Sequence, residues 1–193
     1  MSFTIEDTAS ISKLALKPHK KVANGWNFTC NDSAPGLGSN YVAVKFPSMH
    51  IPFSSCEPYK NSKSTLRTLT VDFKDTDESN DRLDDFRNLL EELYDRITAL
   101  CTEVNEGRPA KVAPLIKASK NIEYHDLVSL RFWPGTADFR HEATKKRVKE
   151  QSVDLRGFRA EPTVVLKDVW LRDGVYYPRL FVTSCILIDK RRE

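Results

Sequence analysis

A turn signal between two β-prone runs is the feature that most constrains how this chain can fold. Residues 164–182 read VVLKDVWLRDGVYYPRLFV, and Asp173-Gly174 stands between runs rich in valine, leucine and aromatic residues. Asp-Gly suits a two-residue type I′ turn, because both central positions of that turn need positive φ. The sequence therefore predicts a β-hairpin in which Arg172 pairs with Val175 and Asp168 pairs with Arg179.

Side chains alternate between two faces along each strand of the predicted hairpin. One face is aliphatic and is expected to be core; it carries Val165, Val169, Leu171, Leu180 and Val182. The other face is aromatic and charged; it carries Asp168, Trp170, Arg172, Tyr177 and Arg179. Two interpretations of this second face stay open. It is either a binding platform or a solvent-exposed edge that charges and Pro178 protect from further pairing.

The charges of the chain are segregated along the sequence. Residues 75–106 contain eleven acidic side chains and three arginines, a charge of −8. Because the whole chain carries +3, the other 161 residues carry +11. A basic body with one separate acidic element is typical of a protein that binds a polyanion on one surface and keeps another surface acidic.

The acidic segment also predicts the clearest helix. Its apolar residues recur at spacings of three and four: Leu83, Phe86, Leu90, Leu93, Ile97, Leu100 and Val104. Gly107 and Pro109 indicate where the helix ends. The resulting apolar stripe either packs on the protein's own sheet, which is the expectation preferred here, or mediates self-association or the binding of a partner helix.

The remaining patterns predict strands, at residues 41–46, 65–73, 112–118 and 124–133. Strands at this density with one long helix indicate an α+β fold built on an antiparallel sheet or small barrel. A chain of 193 residues with 40% apolar content can bury one sizeable core, so we expect a single domain over residues 1–193. Residues 1–40 are consistent with either an opening strand pair or a partly ordered N-terminal arm.

Aromatic residues recur beside basic ones on the non-aliphatic side of the predicted strands. Residues 140–159 include seven basic and three acidic side chains. This segment lies between the strand predicted at 124–133 and the hairpin. Basic grooves that follow phosphates and rings that stack on bases are how single-stranded nucleic acids are bound. The candidate nucleic-acid-binding residues are Trp170, Tyr177, Arg172, Arg179, Trp133, Arg131, Tyr41, Lys45, Lys145, Lys146, Arg147 and Lys149.

The order of several segments resembles a known protein family. FPSMHIPF at 46–53, TLTVDF at 68–73, the acidic amphipathic helix and VVLKDVWLRDGVYYPRLFVTSCILI at 164–188 together resemble the single-stranded-DNA-binding proteins of nucleocytoplasmic large DNA viruses. The resemblance spans about residues 41–190. It implies an OB-like β-barrel with inserted elements, and a role in coating and protecting single strands during viral DNA replication, recombination or repair. Replication proteins are then expected partners.

Other classes of function have weaker support. The Gly36-Leu-Gly38 stretch precedes a strand, whereas a dinucleotide-binding loop must open a helix, and the four histidines show no metal spacing. No enzyme activity, cofactor or metal site is therefore expected. The four cysteines lack C-x-x-C spacing and are expected to be buried free thiols. The alternatives left open are an RNA-binding module and a virion structural or scaffold β-protein without a nucleic-acid role.

The sequence also bears on location. No run of 18 apolar residues exists, and the N-terminus has no apolar signal region. We therefore expect no membrane partner and an intracellular location, in the host nucleus or at a cytoplasmic replication site.

Overall fold

A computed structural model describes residues 3–5, 11–22, 25–32, 42–53, 65–74, 80–120, 125–149 and 154–189. Its long helix, α1, is Asn80–Val104. Its strands are β1 Phe3–Ile5, β2 Leu14–Val22, β3 Gly25–Asp32, β4 Val42–Lys45, β5 Met49–His50, β6 Arg67–Asp72, β7 Lys111–Val112, β8 Ile116–Lys117, β9 Leu127–Phe132, β10 Asp138–His141, β11 Arg159–Arg172 and β12 Val175–Ile188. No helix within these ranges combines the length and the apolar character that crossing a membrane requires.

The chain divides into two compact units. Unit 1 comprises Met1–Val44, Arg87–Leu115 and Val165–Leu180, and unit 2 comprises Lys45–Phe86, Ile116–Val164 and Phe181–Glu193. Strands β11 and β12 and helix α1 each contribute residues to both units. The expectation of a single domain over residues 1–193 stays a prediction.

The predicted hairpin is present, with its turn at the expected place. Strand β11 ends at Arg172 and β12 begins at Val175. Asp173 and Gly174 have φ values of 51° and 75°, the positive values that a type I′ turn needs. On the side of β12 away from β11, Tyr176 pairs with β7 and Phe181 pairs with β9. Pro178 lies between these two positions, where none of the described strands pairs with β12 on that side. Its missing N–H therefore leaves no hydrogen bond unmade.

The sheet of unit 1 is built around this hairpin. Strand β3 pairs antiparallel with β11 on one side and with β2 on the other, so residues 14–22 and 25–32 form a strand pair. Strand β7 pairs parallel with β12. The strand order is therefore β2, β3, β11, β12, β7. Strand β1 pairs parallel with β4, and β4 in turn pairs with β11.

Helix α1 buries its apolar stripe within the chain. In unit 1, Leu90, Leu93 and Ile97 are completely buried. Arg96 donates through Nη2 to the carbonyl oxygen of Leu14 at 3.0 Å, and the Tyr94 hydroxyl donates to the carbonyl oxygen of Val112 at 3.1 Å. These bonds join the helix to β2 and β7. The preferred expectation, packing on the protein's own sheet, is confirmed.

Unit 2 contains a closed series of strand pairings. Strand β11 pairs with β5, β5 with β6, β6 with β9, β9 with β12, and β12 with β11. The core of this unit includes Phe46, Leu69, Val128, Leu130 and Phe132, all at most 1% exposed. The alternation predicted for residues 124–133 is confirmed over β9, where Val128, Leu130 and Phe132 alternate with the half-buried Ser129 and Arg131, while Tyr124 lies outside the described residues.

The pairing differs from the antiparallel arrangement that the sequence predicts. The pairs β1–β4, β7–β12, β9–β12 and β10–β12 are parallel, so the architecture is a mixed sheet with one long helix among the described residues. Parallel pairs need crossover connections, and their partners are distant in sequence. A local pattern of apolar residues carries no information about such partners, which is why the prediction was wrong on this point.

Candidate nucleic-acid interface

The sheet of unit 1 has two chemically different faces. On one face Phe28, Cys30, Val169 and Tyr176 are buried, and the Phe28 and Tyr176 rings lie 6.0 Å apart. Cys101 of α1 is close enough to Tyr176 that, after burial itself, it contributes to raising the pKa of that phenol. This is the face that the helix covers. The opposite face carries the polar side chains.

We call this opposite surface the aromatic–basic face. Pairing registers and strand alternation assign its members on five strands. They are Lys17 of β2, Asn27 and Thr29 of β3, Asp168, Trp170 and Arg172 of β11, Tyr177 and Arg179 of β12, and Lys111 of β7. The four hairpin residues proposed from the sequence as nucleic-acid contacts, Trp170, Arg172, Tyr177 and Arg179, are thus brought together on one surface.

Trp170 is the centre of that surface. It pairs with Asn27 of β3, and the two-residue turn places it opposite Tyr177 of β12. The guanidinium carbons of Arg172 and Arg179 lie 5.6 and 5.7 Å from the centre of its ring. Both distances suit cation–π attraction. Tyr177 beside it is 37% exposed, so this part of the face offers aromatic surface to a ligand.

Asp168 lies on the predicted face but is not exposed there. The sequence places it on the open face, yet it is only 3% exposed. Arg179 donates to both of its carboxylate oxygens, and Asn27 Nδ2 donates to Oδ2 at 3.2 Å. A carboxylate can be buried where such donors replace its water shell. Further down β11 the buried side itself changes, because Leu166 is buried and Val165 is only half-buried, opposite to expectation.

Five residues of this face were not among the candidate contacts from the sequence: Lys17, Asn27, Thr29, Lys111 and Asp168. Lys17 and Lys111 are exposed on the two outer strands, and Asn27 lies beside Trp170. Their signal was present but weak. Asn24-Gly25, between two β-prone runs, is a hairpin turn sequence that would have placed residues 14–32 in a strand pair. Lys111 lies on a strand of two residues, which no periodicity can predict.

Unit 2 holds a second aromatic position among the predicted residues. Trp133 is 37% exposed, and its ring is stacked on that of the buried Phe181 at 4.6 Å with an angle of 11° between the planes. Arg131, half-buried, lies on the same side of β9, away from Leu130 and Phe132. Trp133 and Arg131 therefore lie on the same side, opposite Leu130 and Phe132, as the sequence predicts.

The predicted basic run forms a tight turn in unit 2. Backbone bonds join His141 N to Lys146 O at 3.0 Å and Val148 N to Phe139 O at 2.8 Å, so the chain doubles back after β10. Lys145, Lys146, Arg147 and Lys149 are all exposed. Arg147 is partly neutralised, because it lies 3.9 Å from Asp138 and donates to Gly135 O at 3.1 Å. Lys145 and Lys146 are the exposed cations at the tip.

Two predicted contact residues are separate from these groups. Lys45 is exposed at the end of β4, next to the buried Val44 and Phe46. Tyr41 lies outside the described residues, so its predicted role stays a prediction. The structure thus groups the candidates into a hairpin set in unit 1 and a Trp133 and basic-turn set in unit 2.

The cysteines behave as buried thiols. Cys30, Cys101 and Cys185 are free and buried, and Cys56 lies outside the described residues. Burial raises the pKa of Cys101 and of Cys185 to about 12, and Glu161 adds to the effect on Cys185. Burial, then the nearby Asp168 and Cys101, raises the pKa of Cys30. These thiols stay protonated near neutral pH and are poor nucleophiles. No group of side chains suited to a metal ion occurs in the described ranges.

The fold resembles that of a solved protein. The chain is similar to gp2.5, a single-stranded DNA binding protein encoded by bacteriophage T7, with a TM-score of 0.50. The likeness covers 79% of this chain and 89% of that chain at 7% sequence identity, so it is a likeness of fold. No protein-family model and no curated protein matches the chain. Membership of the family from large DNA viruses therefore stays a prediction.

Proposed function

We propose that this protein binds single-stranded DNA without sequence specificity. The observation that carries the proposal is the two-sided sheet of unit 1. The helix and core lie on one face, and Trp170, Tyr177, Arg172 and flanking lysines lie on the other. Rings that can stack on any base, with cations for the phosphates, provide affinity that does not depend on sequence.

The fold supports the same proposal. The closed series of five strand pairings in unit 2 is what an OB-like barrel requires, and OB folds bind oligonucleotides. The solved neighbour is itself a single-stranded DNA binding protein. We extend the proposal to coating and protecting single strands during viral DNA replication, recombination or repair, in keeping with the family resemblance.

Direct titration tests the proposed binding mode. We expect tight binding of labelled oligo-dT, much weaker binding of duplex DNA, and affinity that falls with salt by a log–log slope of about −0.7 per phosphate neutralised. Poly-rU in the same titration tests the RNA-binding alternative, since 2′-hydroxyl contacts decide between the two polymers. Equal affinity for duplex and single strand, or a slope near zero, contradicts the proposal. No salt-dependent binding of any of the three polymers favours the structural-protein alternative.

Substituting aromatic residues tests which face of the sheet binds. Trp170→Ala and Tyr177→Ala are expected to weaken oligo-dT binding by about 1–3 kcal/mol for each base stack lost, with the salt slope almost unchanged. Trp26 is the matched control. Trp26 is 42% exposed and lies close to the Asp173-Gly174 turn. It pairs with Leu171, however, so it belongs to the helix-covered face. Trp26→Ala should therefore leave the affinity nearly unchanged.

Substitutions in the basic turn test the phosphate contacts in the same binding experiment. The double charge reversal Lys145→Glu, Lys146→Glu should flatten the salt slope without destabilising the protein, because both side chains are exposed. The face assignment fails if Trp26→Ala weakens binding as much as Trp170→Ala does. If the aromatic substitutions unfold the protein instead, the rings are core.

A further inference from the structure

Arg172 and Arg179 lie at nearly equal distances from the Trp170 ring but in different surroundings. Arg172 is exposed, and its Nε is 3.2 Å from the exposed carboxylate of Asp173. The side chain of Arg179 is only 22% exposed, and its partner Asp168 is buried. Two guanidinium groups beside one ring thus differ in whether their charge is available to a ligand.

The buried pair is held from three strands. Asp168 belongs to β11, Arg179 to β12, and Asn27, which donates to the same carboxylate, to β3. Two nitrogens of Arg179 face the two oxygens of Asp168, which is the strong two-point geometry of an arginine–carboxylate pair. The guanidinium is therefore fixed in place against the Trp170 ring.

We propose that the Asp168–Arg179 pair positions the Trp170 ring for base stacking, and that Arg172 makes the phosphate contact at this point. The inference rests on the proposed function. A phosphate that drew Arg179 away would leave the carboxylate of Asp168 buried without its partner, which is strongly unfavourable. Asp173, by contrast, is exposed to water, so a phosphate can replace it beside Arg172 at little cost.

Salt dependence and ring accessibility separate the two roles. The double variant Asp168→Asn, Arg179→Gln replaces the ion pair with neutral polar side chains, and Arg172→Gln is the matched control. Affinity for oligo-dT at several salt concentrations is measured in the otherwise wild-type chain. Acrylamide quenching of Trp170 is measured without nucleic acid after Trp26→Phe and Trp133→Phe, which leave it as the one tryptophan.

The expected results differ in each readout. The double variant should bind about tenfold more weakly, in the range expected for one disturbed base stack, with unchanged salt slope and increased quenching of Trp170. Arg172→Gln should reduce the salt slope by about 0.7, the contribution of one phosphate, with quenching unchanged. If the double variant does not fold, Arg179→Lys, which keeps the charge and loses the two-point geometry, is expected to give the same pattern.

Other results overturn the assignment. A salt slope that falls by about 0.7 in the double variant would assign the phosphate contact to Arg179. In Arg179→Lys, which keeps the charge, the salt slope is expected to stay unchanged and the quenching of Trp170 decides. Unchanged quenching would show that the pair does not position the ring. Failure of the proposed function looks different, because the wild-type chain then does not bind oligo-dT. In that case the proposed phosphate contact of Arg172 is also wrong. The quenching measurement still decides whether the Asp168–Arg179 pair positions the Trp170 ring.

Discussion

Leu90→Asp is expected to destabilise the protein by about 4 kcal/mol or more. Leu90 is 0% exposed in the middle of α1, so the new carboxylate would be buried without a partner. Because natural domains are stable by only about 5–15 kcal/mol, this substitution removes a large part of the free energy of unfolding. Urea denaturation followed by circular dichroism measures the change.

The same helix provides the control for this substitution. Asn88 is exposed two residues away, so Asn88→Asp adds the same charge on the outer surface and should change stability by no more than about 0.5 kcal/mol. A folded monomeric Leu90→Asp protein obtained from an oligomeric wild type would contradict the packing described above. The stripe would then be an interface between copies.

Gly25→Ala is expected to be comparably damaging, through the backbone. Gly25 has a φ of 154°, and a Cβ atom added there would lie 1.7 Å from the carbonyl oxygen of Leu171. Backbone atoms of a paired strand cannot give way as a flexible side chain can, so β3 must move away from β11. The bond from Asn27 to the buried Asp168 would be lost as well. We expect a loss of about 4 kcal/mol in the free energy of unfolding and much weaker binding of oligo-dT.

Gly174→Ala separates the clash from simple backbone strain. Gly174 also has positive φ, 75°, but a Cβ atom there would meet nothing within 4 Å. That substitution should cost only the roughly 1–2 kcal/mol of a left-handed alanine. Equal destabilisation by the two substitutions would mean that β3 does not approach β11 as closely as described.

Elements defined by local patterns could be predicted from the sequence. The Asp173-Gly174 turn follows from the φ preferences of two residues, and α1 follows from an apolar stripe that repeats with the helical period. The four hairpin candidates share one surface for the same reason, because alternation along a strand depends only on position. These features need no knowledge of distant parts of the chain.

Features that depend on distant partners could not be predicted in this way. The burial of Asp168 depends on Arg179 and on Asn27, which is 141 residues away in the sequence. The parallel partners β7 and β9 lie far from β12 in the sequence, so local patterns do not indicate that they pair with it. The core also changes face along β11, from Leu166 to Val169, so one alternating pattern could not describe the whole strand.

The helix that covers one face of unit 1 also determines what a bound strand would present to its surroundings. Glu91, Glu92, Asp95 and Glu103 are exposed on α1, on the side of the sheet opposite the aromatic–basic face. A strand coated by this unit would exchange bare phosphates for a carboxylate-bearing exterior. Coated strands would remain anionic and would repel one another at distances up to about the Debye length of 8 Å. Coating would thus cover the bases of a strand while keeping separate strands dispersed in solution.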